Sequence, residues 1–450
     1  MSIVPRSGFG IPVHRLPLGF NLIEIMVALT LGLLVSLGIV TAFSASSSTN
    51  RVQEALARLQ ESGRYASTRL ASDLRMLGGQ YCNNSASSGW KYTGNGGVFP
   101  GNALTSYAPG VSSTAANGAF PDSGGNAGAP PAGWANGYQV SPALFVQGYE
   151  CSASGPCAPE VPDLPAAGVS AGARVPYADV LTLRYQSSSG WSYTVAGSGA
   201  ATVITLGTGG ADNSALAAGD FALITKCGGG QIMRTDTPGP SLSSTTLPAT
   251  FVAPDPTAGL NSAFDARVFN FSKDFTTVTY FLQFKADPNV ANRLIPVLMR
   301  RVNGGAAIGG TTAELVEGVE RLDFVYGVQY GDGTFHYMNA DGVQSNSDPG
   351  KCVLPDGVTD ATGCLWAAVQ TVDVHMLVNT VKDLPLSDAE ETFRYGIDKD
   401  TGNKVCQQQA PSTASAPMTY GCGAMTTGYK AGRMMRREFV STIGVRNGNR

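Results

Sequence analysis

The chain has 450 residues, 43% of them hydrophobic and only 14% charged, with a formal net charge of −3. That length accommodates a sizeable core and two or three domains, and the near-neutral charge offers no basic field for nucleic acid, which excludes that class of partner. The charged fraction lies below the roughly one quarter usual in globular chains, and Gly, Ala, Ser, Thr and Asn fill the gap, as suits an exported β-rich protein with long loops.

Residues 1–19 carry Arg6, His14 and Arg15 and no acid, a basic leader that the positive-inside rule keeps cytoplasmic. Residues 20–43 follow as an apolar segment whose only ionisable side chain is Glu24. About 20 apolar residues cross a bilayer as helix, and a carboxylate at the bilayer centre costs about 2.5–3.5 kcal/mol, less near the end of the span. Three readings compete. An ordinary anchor gains nothing from the acid. A removable secretory signal has Ala42, Ser44, Ala45 and Ser46 for a peptidase, but its apolar core is too long and is charged. In the third, a short leader ends in Gly19, Phe20 becomes the first residue, and Glu24 is the fifth. Cleavage after Gly19 then frees an amine on Phe20 about one helical turn from Glu24, within reach of a neighbouring copy's Glu24 as well. A buried carboxylate is tolerated when paired with a cation, so this reading gives the acid a purpose: assembly in a fixed register.

The stretch "GFNLIEIMVALTLG" resembles the N-terminal motif of type IV pilins and of the related pseudopilins of type II secretion. The resemblance implies cleavage by a prepilin peptidase between Gly19 and Phe20 and N-methylation of Phe20. It also implies a single-pass stay in the inner membrane with the head in the periplasm, then extraction into an extracellular pilus. Asn21 stands where that family more often has Ser or Thr.

No proline occurs between Pro17 and Pro100. Val52, Leu56, Leu59, Ala66, Leu70, Leu74 and Leu77 recur at helical spacing, so an amphipathic continuation is predicted over 44–78. Arg51, Glu54, Arg58, Glu61, Arg64, Arg69 and Asp73 are placed off the stripe, and Gly78-Gly79 supplies a stop. A helix over 20–77 is nearly 90 Å long at about 1.5 Å per residue. Its second half needs a partner surface, most simply a sheet of the same chain, with an isolated coiled-coil stalk as the alternative.

Residues 79–178 read as a loop-rich region, with Trp90, Tyr92, Phe99, Tyr107, Trp134 and Tyr138 as packing anchors or, alternatively, a surface for carbohydrate. From Asp179 to 450 short strand patterns recur, among them "DVLTLRY", "WSYTVAG", "TTVTYFLQFK", "RLDFVYGVQY" and "VQTVDVHMLVN". One long helix followed by turn-linked strands predicts an α+β fold, with the helix packed on an antiparallel β-sheet head carrying long Gly/Ser/Asn-rich loops.

"DVLTLRYQ", "GDFALITKC", "LVEGVERLDFVYGV" and "RREFVSTIGVRN" are similar to segments of the PilW family of minor pilins. This chain is long for that family, and the excess falls in the loops. The resemblance implies a non-catalytic subunit without cofactors that primes filament assembly, lies at or near the pilus tip and supports twitching motility and adhesion. It also implies other minor pilins, the major pilin and a large tip adhesin as partners. A type II minor pseudopilin of the J type is the nearest alternative.

The 8 cysteines include no C-x-x-C pair, which argues against zinc and thioredoxin-like chemistry. An even number in an exported chain favours disulfides. Sequence proximity suggests Cys151–Cys157, Cys352–Cys364 and Cys406–Cys422, which leaves Cys82 with Cys227. Other connectivities, and free thiols, stay open.

Two further classes, an exported hydrolase and a binding module with a cleaved signal, rest on weaker signals. "GVSAG" fits a nucleophile elbow with Ser170 as nucleophile, but prolines flank it where a strand and a helix are required. His336 and His375 are candidate bases or ligands; Asp373 and His375 share one strand face, read as solvated. "GDGT" (331–334) and "DKDTGN" (398–403) are acidic turns with calcium-like composition but no EF-hand spacing. "GTGGADN" lacks the Lys-Ser/Thr of a phosphate loop.

Overall fold

The computed structural model describes residues 21–77, 104–108, 138–140, 145–151, 164–226, 229–249, 251–254, 266–305, 310–329, 334–345, 363–384 and 434–445, with a few isolated residues and short strands between them. The chain divides into two compact units, 1–54 and 55–450, and the division falls inside one continuous helix. Helix α1 runs Leu22–Met76, 55 residues, about 80 Å at 1.5 Å per residue. The absence of proline lets it run on through the weak helix formers of 44–50, and it ends in a turn where the Leu77 amide donates to the Leu74 carbonyl (3.2 Å).

Within the second unit, the end of α1 packs on two antiparallel sheets. A central six-stranded sheet has the order Thr311–Glu317, Leu294–Val302, Phe275–Ala286, Val180–Gln186, Val146–Cys151, Cys157–Ala158. A four-stranded C-terminal sheet has the order Phe335–Met338, Val319–Gln329, Val369–Asn379, Arg436–Gly444. The period-2 pattern decides the faces. Val278, Tyr280, Leu282 and Phe284 of the central sheet share one core with Leu322, Phe324, Tyr326, Val372, Val374 and Met376 of the C-terminal sheet. Leu59, Ala66, Leu70, Leu74 and Leu77 of the helix fill the same core. The opposite face of the central sheet has its own cluster, with Tyr149, Val180, Phe281 and Val297.

The head begins earlier than the sequence pattern suggested. Val146–Cys151, inside the segment read as loops, pairs antiparallel with Val180–Gln186. Gly318 and Asp179 are among the residues that link the two sheets. Gly318, at φ +83°, turns the chain from one sheet into the other, a backbone region open mainly to glycine. Asp179, buried, accepts the Cys151 amide on one oxygen and the Phe324 amide on the other, both at 3.3 Å.

A third, eight-stranded sheet has the order Ser241–Ser243, Val203–Gly209, Trp191–Ala196, Arg267–Asn270, Phe221–Lys226, Gly229–Arg234, Leu104–Ser106, Tyr138–Gln139. Its pairing is antiparallel except between Gly229–Arg234 and Leu104–Ser106. The head is thus built from several sheets around separate cores.

Candidate functional site

Two stretches of α1 carry chemistry. In the first, Asn21 precedes the helix, and its carbonyl accepts the amides of Glu24 (2.9 Å) and Ile25 (3.2 Å). Glu24 therefore lies in the first turn, where the positive end of the helix dipole favours a carboxylate. From Leu22 to Phe43 the large apolar side chains are exposed, Leu22 at 75% and Phe43 at 76%. The hydroxyls of Thr30, Thr41 and Thr49 fold back onto Val27, Gly38 and Ala45 carbonyls at 2.9 Å, so these polar atoms are satisfied within the helix. A Cβ at Gly32 or Gly38 would meet nothing within 4 Å, which leaves the backbone open to close approach by another helix. A continuous apolar cylinder of this kind exceeds any patch a soluble monomer shows to water. The helix is long and apolar enough to cross a membrane.

The second stretch anchors the helix to the sheets. Asp73, which the sequence reading placed on the polar side, is buried. One carboxylate oxygen accepts the Tyr280 hydroxyl (2.5 Å) and the Arg300 Nε–H (2.7 Å); the other accepts the Tyr185 hydroxyl (3.4 Å) and lies 3.8 Å from Arg69. The correction has a simple geometric cause. Asp73 falls three residues after Leu70 and four before Leu77, inside the apolar stripe. A charge there needs a cation and donors, and the central sheet supplies them. Ten residues earlier Gly63 is also buried, and a Cβ there would overlap the Phe439 ring. Glycine lets the C-terminal edge strand press directly on the helix backbone.

The residues singled out from sequence are placed as follows. Glu24 opens α1; Gly19 and Phe20 lie outside the described residues. Cys151 and Cys157 face each other across adjacent strands and are joined by a disulfide. Cys82, Cys227 and Cys422 lie outside the described residues, and of Cys352, Cys364 and Cys406 only the backbone is described. Ser170 sits in an exposed bend, not in a strand-to-helix turn. The segment around it instead pairs with a strand: the Gly172 and Val175 amides donate to Phe284 and Leu282 carbonyls. His336 is exposed and contacts the Thr334 hydroxyl at 3.0 Å. His375 is half-buried and meets Glu438 of the next strand at 3.0 Å, so the face it shares with Asp373 is partly covered, not open to solvent. "GTGGADN" closes a turn in which Asn213 bonds both the amide and the carbonyl of Gly190. Of the loop aromatics, Tyr107 packs edge-on against Phe251 with ring centroids 4.9 Å apart; Trp90, Phe99 and Trp134 lie outside the described residues, as do "DKDTGN" and most of "GDGT". Among the described residues no cluster of His, Cys, Asp or Glu could hold a metal ion.

Residues 279–447 match the family model of PilW, the type IV pilus-assembly protein W. No curated protein and no solved structure matches the chain. The PilW region is less than half of the chain. It takes in most of the strand Phe275–Ala286, the next two strands of the central sheet and all of the C-terminal sheet. Tyr280 and Arg300, which hold Asp73, lie within it, as does Phe439, which covers Gly63; the helix itself does not.

The PilW region also contains buried charged groups. Arg321 and Asp323, each 1% exposed, form a two-pronged ion pair at 2.8 and 3.0 Å, and the Tyr395 hydroxyl donates to the same carboxylate. Burial, then the Asp323 charge, pushes the Tyr395 phenol well up. Burial followed by Asp73 raises Tyr280, and burial followed by Asp179 raises Tyr326. In the unfolded chain these phenols ionise near pH 10, while in the fold they stay protonated. Above that pH the unfolded state therefore binds fewer protons, and stability falls as pH rises, by up to about 1.4 kcal/mol per pH unit for each tyrosine. Denaturant midpoints of the detergent-solubilised chain are expected to be level to about pH 9.5 and to drop steeply beyond it. Tyr395→Phe is expected to flatten the slope, and a midpoint unchanged at pH 11 would contradict the account.

Proposed function

We propose that this chain is a minor pilin of the type IV pilus. Cleavage after Gly19 frees Phe20, which is N-methylated, and the apolar half of α1 holds the subunit in the inner membrane with its head in the periplasm. On extraction into the filament, Glu24 meets the new amino group of a neighbouring Phe20, and subunit packing replaces lipid around the helix. The subunit is scarce, primes assembly and sits at or near the tip, with other minor pilins, the major pilin and a large tip adhesin as its partners and prepilin peptidase as its processing enzyme. Twitching motility and adhesion are the outcomes, and no catalytic step is involved.

The observation that carries this reading is an exposed apolar helix with one acid in its first turn, in a chain whose C-terminal region matches PilW. That match also favours a pilus subunit over a type II pseudopilin. The exposed bend at Ser170 speaks against the hydrolase. Glu24→Ala is expected to leave cleavage intact and to cut recovery of the subunit in sheared pili by about tenfold, the loss expected when a pairing worth about 1.4 kcal/mol is removed. Mass mapping of the mature N-terminus gives the companion test: N-methylated Phe20 supports the reading, and a start near Ala45 removes it.

A further inference from the structure

The strands Val180–Gln186 and Phe275–Ala286 are direct neighbours, and Gln186 pairs with Phe275. Everything between them therefore leaves and re-enters the central sheet within a single rung. The neck is narrow and bonded: the Ser187 amide and hydroxyl both donate to the Asp274 carbonyl (2.8 and 2.7 Å). The Asp274 carboxylate in turn accepts the Ser214 amide at 3.1 Å. Beyond the neck, residues 187–274 supply six of the eight strands of the third sheet.

This excursion has its own interior. Tyr193, Ile204, Leu216, Ala222, Ile224, Met233, Leu242, Phe251 and Val268 form a cluster whose fully buried members all come from between 193 and 268. The core around α1 contains no residue of 187–274 among those described. The helix stripe, the Asp73 anchor and the Phe439–Gly63 contact are likewise built without it. The PilW match begins after it. Among the described residues, two features join the excursion to the rest: a boundary cluster where Phe269 and Phe271 meet Phe145 and Phe275, and the short strands Leu104–Ser106 and Tyr138–Gln139, which extend its sheet at one edge and bring Tyr107 against Phe251.

We propose that residues 187–274 are an inserted module that folds on its own core and takes no part in filament assembly. The helix and the two sheets it packs on do the assembling; the module is carried, and its function is separable from theirs. Excision would expose the aromatic seat at Phe145 and Phe275, so the test unfolds the module in place. Ile224→Asp and Phe251→Asp each bury an unpaired carboxylate in the module core, and Leu282→Asp does the same in the helix core as a control. Hydrogen exchange on the full chain in detergent is the first readout. Both module variants are expected to speed exchange across 190–270 by about 100-fold and to leave α1 and the strands Phe275–Ala286, Val319–Gln329 and Val369–Asn379 unchanged. Leu282→Asp is expected to deprotect all of these. Incorporation into sheared pili is the second readout, and both module variants are expected to match wild type. Loss of helix protection or of incorporation together with the module would overturn the inference, as would unchanged protection within 190–270. Absence of the wild-type chain from pili would instead count against the minor-pilin reading, and the exchange result would still decide the module's independence.

Discussion

Asp73→Ala is expected to destabilise the head by about 3–5 kcal/mol, the range found when one member of a buried ion pair is removed. The anchoring carboxylate side chain is 5% exposed and that of Arg300 14%, so the substitution leaves a guanidinium largely out of water with no counter-charge. It also strips the acceptor from the Tyr280 and Tyr185 hydroxyls, each a further desolvated donor. Asp73→Asn keeps an acceptor but not the charge, and is expected to cost less. The pair Asp73→Ala with Arg300→Met is expected to recover part of the loss, because the orphaned charge is gone. Chemical denaturation of the detergent-solubilised chain measures all three. A loss below about 1 kcal/mol for Asp73→Ala would reduce the cluster to the worth of a surface ion pair. Since Asp73 is what fixes the end of α1 to the central sheet, the variant is also expected to enter pili poorly even where it still folds.

How much of this was readable in advance differs from element to element, for physical reasons. The apolar half of α1 is legible because bilayer thickness sets a length that few other structures need. The packing stripe is legible because a helix repeats its buried face every three or four residues, and Leu59, Ala66, Leu70, Leu74 and Leu77 are buried as that spacing requires. The burial of Asp73 is not legible in the sequence because the sheet residues that bond it lie more than 100 residues away, at 185, 280 and 300, and no local pattern announces them. Its position on the stripe was the available signal. Gly63 was passed over in the same way, although it lies four residues after Leu59 and three before Ala66. The strand Val146–Cys151 was hidden by Gly148, a residue that weakens strand patterns; the structure needs glycine there because a Cβ would overlap the Tyr326 hydroxyl. Nor can any local pattern reveal that Gln186 pairs with Phe275 across a whole inserted sheet, since nested pairing is a property of the fold and not of either strand.

Glu320→Ala is expected to match or exceed the loss at Asp73, about 3–5 kcal/mol, because both partners here are fully buried. Arg436 donates from Nε (2.9 Å) and Nη2 (3.1 Å) to the two oxygens of Glu320, and Asn379 donates to one of them at 2.6 Å. The local backbone explains the arrangement. The pairing between Val319–Gln329 and Val369–Asn379 slips between Val319 and Arg321, so a bulge at Glu320 breaks the alternation and consecutive residues from 319 to 324 are all buried. Such a bulge is tolerable only if the charges it turns inward find partners, which Arg436 provides for Glu320 and Asp323 for Arg321. Removing Glu320 takes away the carboxylate that Arg436 holds through two of its nitrogens, and the start of the edge strand Arg436–Gly444 loosens. That strand carries Phe439 onto Gly63 of the helix, so the damage is expected to spread: hydrogen exchange should accelerate in 436–444 and in the helix around Gly63, while residues 190–270 keep their protection. Glu320→Leu with Arg436→Met, apolar on both sides, is expected to restore much of the stability. If the single and double variants prove equally unstable, the loss comes from packing at the bulge and not from the broken ion pair.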